Sequence, residues 1–255
     1  EEDITLISPH QAPGLYEAFG TEDFDDLYLK YEADKTIPKK TVAAQDLFGD
    51  LLKERAETGR IYIMNLDHCN SHSSFKDKVS MSNLCQEITL PTTPIQDIHD
   101  DQGEIALCIL SAVNVGGLNE LGELESICDL AVRALEQIID YQDYPVKAAE
   151  VSTKRRRSLG VGYIGLAHYL AKHGVKYSDP KAWDLVDRLS EAFQYHLLRA
   201  SCNIAMEKGK CEAFDRTKYA DGLLPIDHYK KDVDKIVPHK QRMAWESLRK
   251  DIAKY

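Results

Sequence analysis

Nowhere does the sequence run to the roughly 20 consecutive apolar residues that cross a bilayer, so no membrane-spanning segment is expected. Positive charge is in short supply: 32 Lys and Arg stand against 42 Asp and Glu, a net charge of −10. An acidic surface repels phosphate backbones and anionic headgroups, which argues against nucleic acid or a membrane as partner. No CxxC pair occurs among the six cysteines, Cys69, Cys85, Cys108, Cys128, Cys202 and Cys211. That speaks against both a secreted disulfide scaffold and a structural zinc site, and no metal is expected in this chain. The acidic start, Glu1-Glu2-Asp3, lacks the basic-then-apolar pattern of a secretory leader. A reducing, cytoplasmic setting is the expectation. There is no internal repeat, no low-complexity tract and no linker rich in Pro, Gly or Ser.

What remains is an ordinary globular composition, 43% hydrophobic and 29% charged over 255 residues, enough to bury a sizeable core. Ile4-Thr5-Leu6-Ile7 reads as a short strand running into a turn at Ser8-Pro9-His10. An acidic helix is expected after Thr21. A second helix is predicted with Thr41 as N-cap and Ala44, Leu47, Phe48, Leu51 and Leu52 at helical spacing, stopping at Gly59. Strands are predicted at Arg60 to Met64, around Asn83 to Leu90, and from Glu104 to about Val113. A helix follows with Leu124, Ile127, Cys128, Ala131, Leu135 and Ile138 on one stripe. Asp179-Pro180 is an N-cap with Pro in the first turn, opening a helix whose buried side is Val186, Leu189, Phe193, Leu197, Ala200 and Ile204, closed by Gly209. Asp227 is a further candidate cap, and Trp245, Leu248 and Ile252 give the last segment an apolar face. Strands separated by helices make an α/β chain. Three or four strands do not close a barrel on their own.

The informative stretch is Ser82-Asn83-Leu84-Cys85-Gln86-Glu87-Ile88-Thr89-Leu90-Pro91. As a strand it presents Asn83, Cys85 and Glu87 on one face, about 7 Å from one to the next. Leu84, Ile88 and Leu90 then point to the other face. An amide, a thiol and a carboxylate in a row suit a polar ligand; they equally suit the polar face of a half-exposed edge strand. Cys108, in Ala106-Leu107-Cys108-Ile109-Leu110, follows after room for a loop and an adjacent strand, and a second thiol beside the first would allow redox chemistry.

Asn83-Leu84-Cys85-Gln86-Glu87-Ile88 and Gly103-Glu104-Ile105-Ala106-Leu107-Cys108 resemble the catalytic core of the large (alpha) subunit of class I ribonucleotide reductases. The likeness extends over essentially the whole chain. It takes in Pro13-Gly14-Leu15-Tyr16, Gly59-Arg60-Ile61-Tyr62-Ile63, Asp67-His68-Cys69-Asn70 and Asp140-Tyr141-Gln142-Asp143-Tyr144-Pro145, then Arg156-Arg157-Ser158-Leu159-Gly160-Val161-Gly162 and Leu224-Pro225-Ile226-Asp227. The resemblance implies that Cys85 becomes a thiyl radical and removes the ribose 3′ hydrogen of a ribonucleoside diphosphate. It implies that Glu87 is the general base on the 3′-hydroxyl, that Asn83 hydrogen-bonds the substrate, and that Cys108 is one of two thiols that reduce the 2′ position and end as a disulfide. The radical would come from a separate metal-containing small subunit, and reducing equivalents from thioredoxin or glutaredoxin.

The family's large subunit is far longer. These 255 residues do not include its partner redox cysteine, ATP cone, specificity-effector region, radical-path tyrosines or C-terminal cysteine tail. The implied fold is therefore part of the ten-stranded α/β barrel, residues 1–255 forming a partial catalytic barrel domain with a helix-rich C-terminal half. ATP and dNTP effectors would bind parts absent here, and the complete large subunit would be a homodimer. A chain of this extent is expected to be inactive until complementary large-subunit fragments join it, as a split-gene product would be. A nucleotide-binding module that kept the surface and lost the chemistry is the remoter alternative.

Other motifs are discounted. Gly160-Val161-Gly162-Tyr163-Ile164-Gly165 fits GxGxxG, but a basic run precedes it, and helix packing explains the glycines better than a dinucleotide does. Asp67, His68, Cys69 and His72 lack a second ligand pair. Lys154-Arg155-Arg156-Arg157 reads as a solvated helix start. Cys128 and Cys202 fall on or beside apolar stripes as core thiols, and Cys211 lies in a loop after Gly209 with no role assigned.

Overall fold

Ile4 to Ile7 forms the expected strand because a second extended segment lies ready to pair with it. In the computed structural model, which describes residues 3–229, 231–235 and 240–255, β1 (Asp3–Ile7) pairs antiparallel with β2 (Lys39–Ala43), Thr5 opposite Thr41. Thr41 is thus a ladder residue and not a helix cap: its backbone groups go to β1, and the helix begins three residues later. The short α1 (Leu15–Ala18) and the acidic α2 (Phe24–Ala33) lie between the two strands in the chain. Tyr28 of α2 clamps β1, its hydroxyl accepting from the Thr5 amide at 2.8 Å and donating to the Thr5 carbonyl at 3.0 Å. Lys39 caps the other end of α2, donating to the carbonyls of Tyr31 at 3.1 Å and Asp34 at 2.7 Å.

α3 (Ala44–Thr58) ends where the sequence says it should, at Gly59 with φ +65°, a left-handed conformation that Gly adopts without strain. Its apolar stripe is nevertheless not buried. The strand expected at 60–64 is absent, since no partner ladder forms there; the Ile61 carbonyl instead accepts from Arg55 at 2.6 Å. α4 (Leu66–His72) follows. Asn70 then holds the next segment by two bonds to the fully buried Val79, at 2.8 and 2.9 Å. These elements, with residues 78–90, form one compact unit; residues 74–77 and 91–255 form the other.

The second unit is built on β3 (Ile109–Asn114) and β4 (Leu159–Ile164), which pair parallel with Val113 beside Tyr163. Parallel neighbours need a long crossover, and α5 (Leu124–Tyr141) and α6 (Lys147–Arg156) supply it. β3 is shorter than the sequence suggests. Residues 105–108 form no ladder, and Glu104 makes only an isolated bridge to Thr93. Gly165, at φ +79°, turns the chain from β4 into α7 (Leu166–Lys172). A side chain there would meet the Asn114 amide oxygen at 2.4 Å, so the position is closed to other residues on two counts. The other two GxGxxG glycines, Gly160 and Gly162, both lie inside β4 and neither sits on a helix, so helix packing does not account for them.

α8 (Pro180–Lys208) opens at Asp179-Pro180 as expected and packs along α5. Leu124 and Cys128 meet Leu189 and Phe193 in one core, and Val132 meets Ala200 and Ile204 in another. α9 (Trp245–Lys254) buries all three residues of its predicted face, Trp245, Leu248 and Ile252, with Leu224 and Cys202. Asp227 caps no α-helix. It closes a 3₁₀ turn, accepting from the Leu224 amide at 2.7 Å, and pairs with Arg249 at 2.9 Å. The described strands make two separate two-stranded sheets and no closed barrel. No helix of the described residues is long and apolar enough to cross a membrane.

Candidate active site

Residues 82–88 fold as a loop and not as a strand. The Gln86 amide donates to the Asn83 carbonyl at 3.1 Å, closing a turn with Leu84 and Cys85 at its tip. The Asn83 side-chain oxygen accepts from the Ile88 amide at 3.0 Å, and the Ser82 hydroxyl donates to the Ile88 carbonyl at 2.9 Å. Ser and Asn side chains compete for backbone groups in this way, and here they take the bonds a strand would have given a neighbour. The alternation that put Asn83, Cys85 and Glu87 on one strand face therefore does not apply. Leu84, expected to face apolar packing, is 74% exposed.

The three polar residues are all exposed, Cys85 on the turn and Glu87 two residues beyond it. Gln86 between them has φ +63°, a left-handed conformation costing a non-glycine residue roughly 1–2 kcal/mol. Non-glycine residues held in that region cluster at functional sites. A reaction centre here would have a thiol on a braced turn with a carboxylate close by in sequence. Asn83 is already committed through its oxygen to holding that turn.

Cys108 lies immediately before β3, in the second unit. The buried positions of β3 are on the side of Val113, packed with α5 and α8, while Leu110, on the opposite side, is 58% exposed. Cys108 shares the side of Leu110 by strand alternation. The approach to it is fixed by charge. Glu104, 3% exposed, accepts from Arg156 at 2.5 Å and Arg155 at 2.8 Å; Arg156, 6% exposed, also donates to Asp77 at 2.8 Å. Burial works to raise the Glu104 carboxyl, but the two guanidinium groups outweigh it and hold it below its ordinary value. Arg157 turns the other way, pairing with Glu136 at 2.8 Å and Asp140 at 2.8 Å. The basic run is thus the C-terminal end of α6 and not a solvated helix start: its three arginines are neutralised by carboxylates distant in sequence, while Lys154 pairs with Glu150 one turn earlier. Nothing in the sequence beyond the run itself signals this cluster.

The other cysteines divide by burial. Cys128 is fully buried, and burial pushes its thiol up to about 11. Cys202, buried, and Cys211, half-buried, are raised for the same reason. The six cysteines form no disulfide. Only a thiolate is alkylated, and the shift at Cys128 from 9.0 to about 11 lowers its thiolate fraction roughly 100-fold. Iodoacetamide labelling of the folded chain with peptide mass mapping should mark Cys85 first and leave Cys128 and Cys202 unmodified until denaturant is added. Equal labelling of Cys85 and Cys128 before denaturation would mean that the α5–α8 core is not packed as described. Asp67, His68, Cys69 and His72 lie on or next to one turn of α4, and His72 bonds to the His68 carbonyl at 3.0 Å. Among the described residues no group of His, Cys, Asp and Glu has the arrangement of a metal site.

Comparison with known proteins adds what geometry alone does not. The family model described as "Ribonucleotide reductase, barrel domain" matches residues 1–255. The chain is 57% identical over 99% of its length to a protein of Haemophilus influenzae named ribonucleoside-diphosphate reductase subunit alpha, of which it covers 34%. It is 53% identical over 98% of its length to ribonucleoside-diphosphate reductase 1 subunit alpha of Escherichia coli strain K12, again covering 34%. It is 40% identical to the subunit alpha of Enterobacteria phage T4, covering 33%. The chain spans about a third of the length of the curated relatives it matches.

Proposed function

The chain belongs to the ribonucleotide reductase barrel-domain family, and from that premise we propose that it carries the reaction centre for reducing ribonucleoside diphosphates to deoxyribonucleoside diphosphates. The observation that supports this best is the loop at residues 82–88, which offers an exposed thiol at Cys85 and an exposed carboxylate at Glu87, with Asn83 bracing the turn between them. In this reading the Cys85 sulfur, as a thiyl radical, takes the 3′ hydrogen of the ribose. Glu87 accepts the proton of the 3′-hydroxyl, which requires hydrogen-bond reach and an ionised carboxylate. Asn83 hydrogen-bonds the substrate. The 2′ oxygen leaves as water, and Cys108 with a second thiol supplies the two electrons and becomes half of a disulfide. The Cys85 thiol then returns its hydrogen to C3′ and is a radical again, so one radical serves many turnovers.

The remaining parts of the proposal follow from the family. A small subunit with a metal centre generates the radical, thioredoxin or glutaredoxin reduces the disulfide, and ATP and dNTP effectors act on other regions of the large subunit. The two units described above are then parts of one catalytic domain, and β3 and β4 are neighbouring strands of its ten-stranded barrel. The exposed apolar side of this pair, with Leu110 and Ile164 58% and 56% exposed, suits a face that other parts of a larger domain would cover.

The test is deoxynucleotide formation by the intact large subunit with its small subunit and a thioredoxin system. Cys108→Ser should abolish sustained turnover with thioredoxin, because one thiol alone cannot form the disulfide. Full multiple turnover by this variant would remove Cys108 from the reaction.

A further inference from the structure

We propose that Gly160 is the seat of the Cys108 thiol: the hydrogen in place of a side chain at Gly160 leaves the space that the Cys108 sulfur occupies, a position that any side chain there would deny it. Gly160 lies in β4, next to the start of β3, on the side of the sheet that Cys108 and Leu110 share. A Cβ built on Gly160 would come within 2.8 Å of the Cys108 sulfur and 2.5 Å of the Leu110 Cδ2. Both distances are shorter than any real contact of a Cβ.

The two neighbours differ in what they can do about it. Leu110 is 58% exposed, and its terminal methyl can swing into open space. Cys108 has one rotatable bond, so its sulfur can move only by leaving its rotamer for another. Gly160 therefore keeps open a sulfur position that any side chain there would close. Gly162 is two residues along the same strand on the same side, yet a Cβ there would meet nothing within 4 Å. Two glycines of one strand thus have different reasons to be present, and only the first is tied to a thiol. The consequence for function rests on the reading of Cys108 as a reducing thiol. A cysteine that must reach first a substrate and then a second sulfur needs its sulfur in one place, because disulfide geometry tolerates little displacement. Gly160 is then a positioning residue that touches no substrate.

The experiment compares Gly160→Ala with Gly162→Ala in the full chain. The readout is the alkylation rate of Cys108 under native conditions, followed by peptide mass mapping. Gly160→Ala should change that rate about 3–10-fold, because the sulfur can no longer lie against β4 and must take another rotamer with a different exposure. Gly162→Ala should leave it unchanged. Equal rates in the wild type and Gly160→Ala would overturn the proposal, as would an equal change in both variants. Should Gly160→Ala fail to fold, Cys108→Ala in the same chain should restore folding, since the sulfur it clashes with is gone; no restoration would also overturn the proposal. The redox reading has its own test. If Cys108→Ser leaves turnover intact while Gly160→Ala still moves the thiol, the seat stands and the reducing role falls.

Discussion

Replacing Cys85 by Ser is expected to abolish deoxynucleotide formation in the assembled reductase while leaving the fold intact. The oxygen–hydrogen bond of serine is much stronger than the sulfur–hydrogen bond of cysteine, so a seryl oxygen cannot be held as a radical by the oxidant that suffices for a thiol. The structural cost is small because Cys85 is exposed at the tip of a turn, where substitutions usually change stability by no more than about 0.5 kcal/mol. Its neighbour gives a graded control. Glu87→Gln keeps shape and hydrogen bonding but cannot accept a proton, and should slow turnover by roughly 10²–10⁴-fold, the usual contribution of a general base. Chromatographic quantitation of deoxynucleotide product, alongside circular dichroism of each variant, decides the matter. Sustained product formation by a folded Cys85→Ser enzyme would end the radical assignment, and an unimpaired Glu87→Gln would end that of the base.

Glu104→Gln should destabilise the second unit by about 1.5–3 kcal/mol, the contribution of hydrogen bonds between charged groups, since Asp77 still faces Arg156. The guanidinium of Arg156 has almost no contact with solvent, and Glu104 is one of the two carboxylates that neutralise it. Gln fills the same volume, so the loss is electrostatic and not a cavity. The same pair predicts the acid response. The carboxyls of Glu104 and Asp77 are both held below their ordinary values; in each case burial opposes the shift and the arginines prevail. A carboxyl lowered by folding contributes stability that is fully present above its unfolded-state value, about 3.9 for Asp and 4.3 for Glu. That stability is lost as the pH falls through the lower folded-state value. The wild type should therefore lose stability as the pH drops below about 4, and Glu104→Gln should lose less over the same interval because it has one such group fewer. Denaturant titrations at pH 7 and at stepped acid pH measure both effects. A Glu104→Gln chain as stable as the wild type at pH 7 would show that Asp77 alone, or water, compensates Arg156. Since Glu104 stands only four residues before Cys108, the variant should also loosen the segment that delivers this thiol.

The sequence by itself determined three helices of the second unit, α5, α8 and α9. The stripe along α5, the Asp179-Pro180 opening of α8 and the Trp245, Leu248 and Ile252 face of α9 are local signals, because a helix satisfies its backbone within its own segment. The inert character of Cys128 and Cys202 followed from the same periodicity. The residues of the candidate site were legible too, through their resemblance to a family whose motifs run the length of the chain. What only the tertiary structure decided depends on partners remote in sequence. A strand exists only where another chain segment completes its ladder. Thr41 therefore became a strand residue opposite Thr5, while 60–64 and 83–90 remained irregular, the latter because Ser82 and Asn83 had already captured the backbone of Ile88. The arginines of 155–157 looked like surface charge until folding brought Glu104, Asp77 and Glu136 against them. The use of Gly160 became visible only once β3 and β4 stood side by side, since close approach is a property of two segments and is written in neither alone.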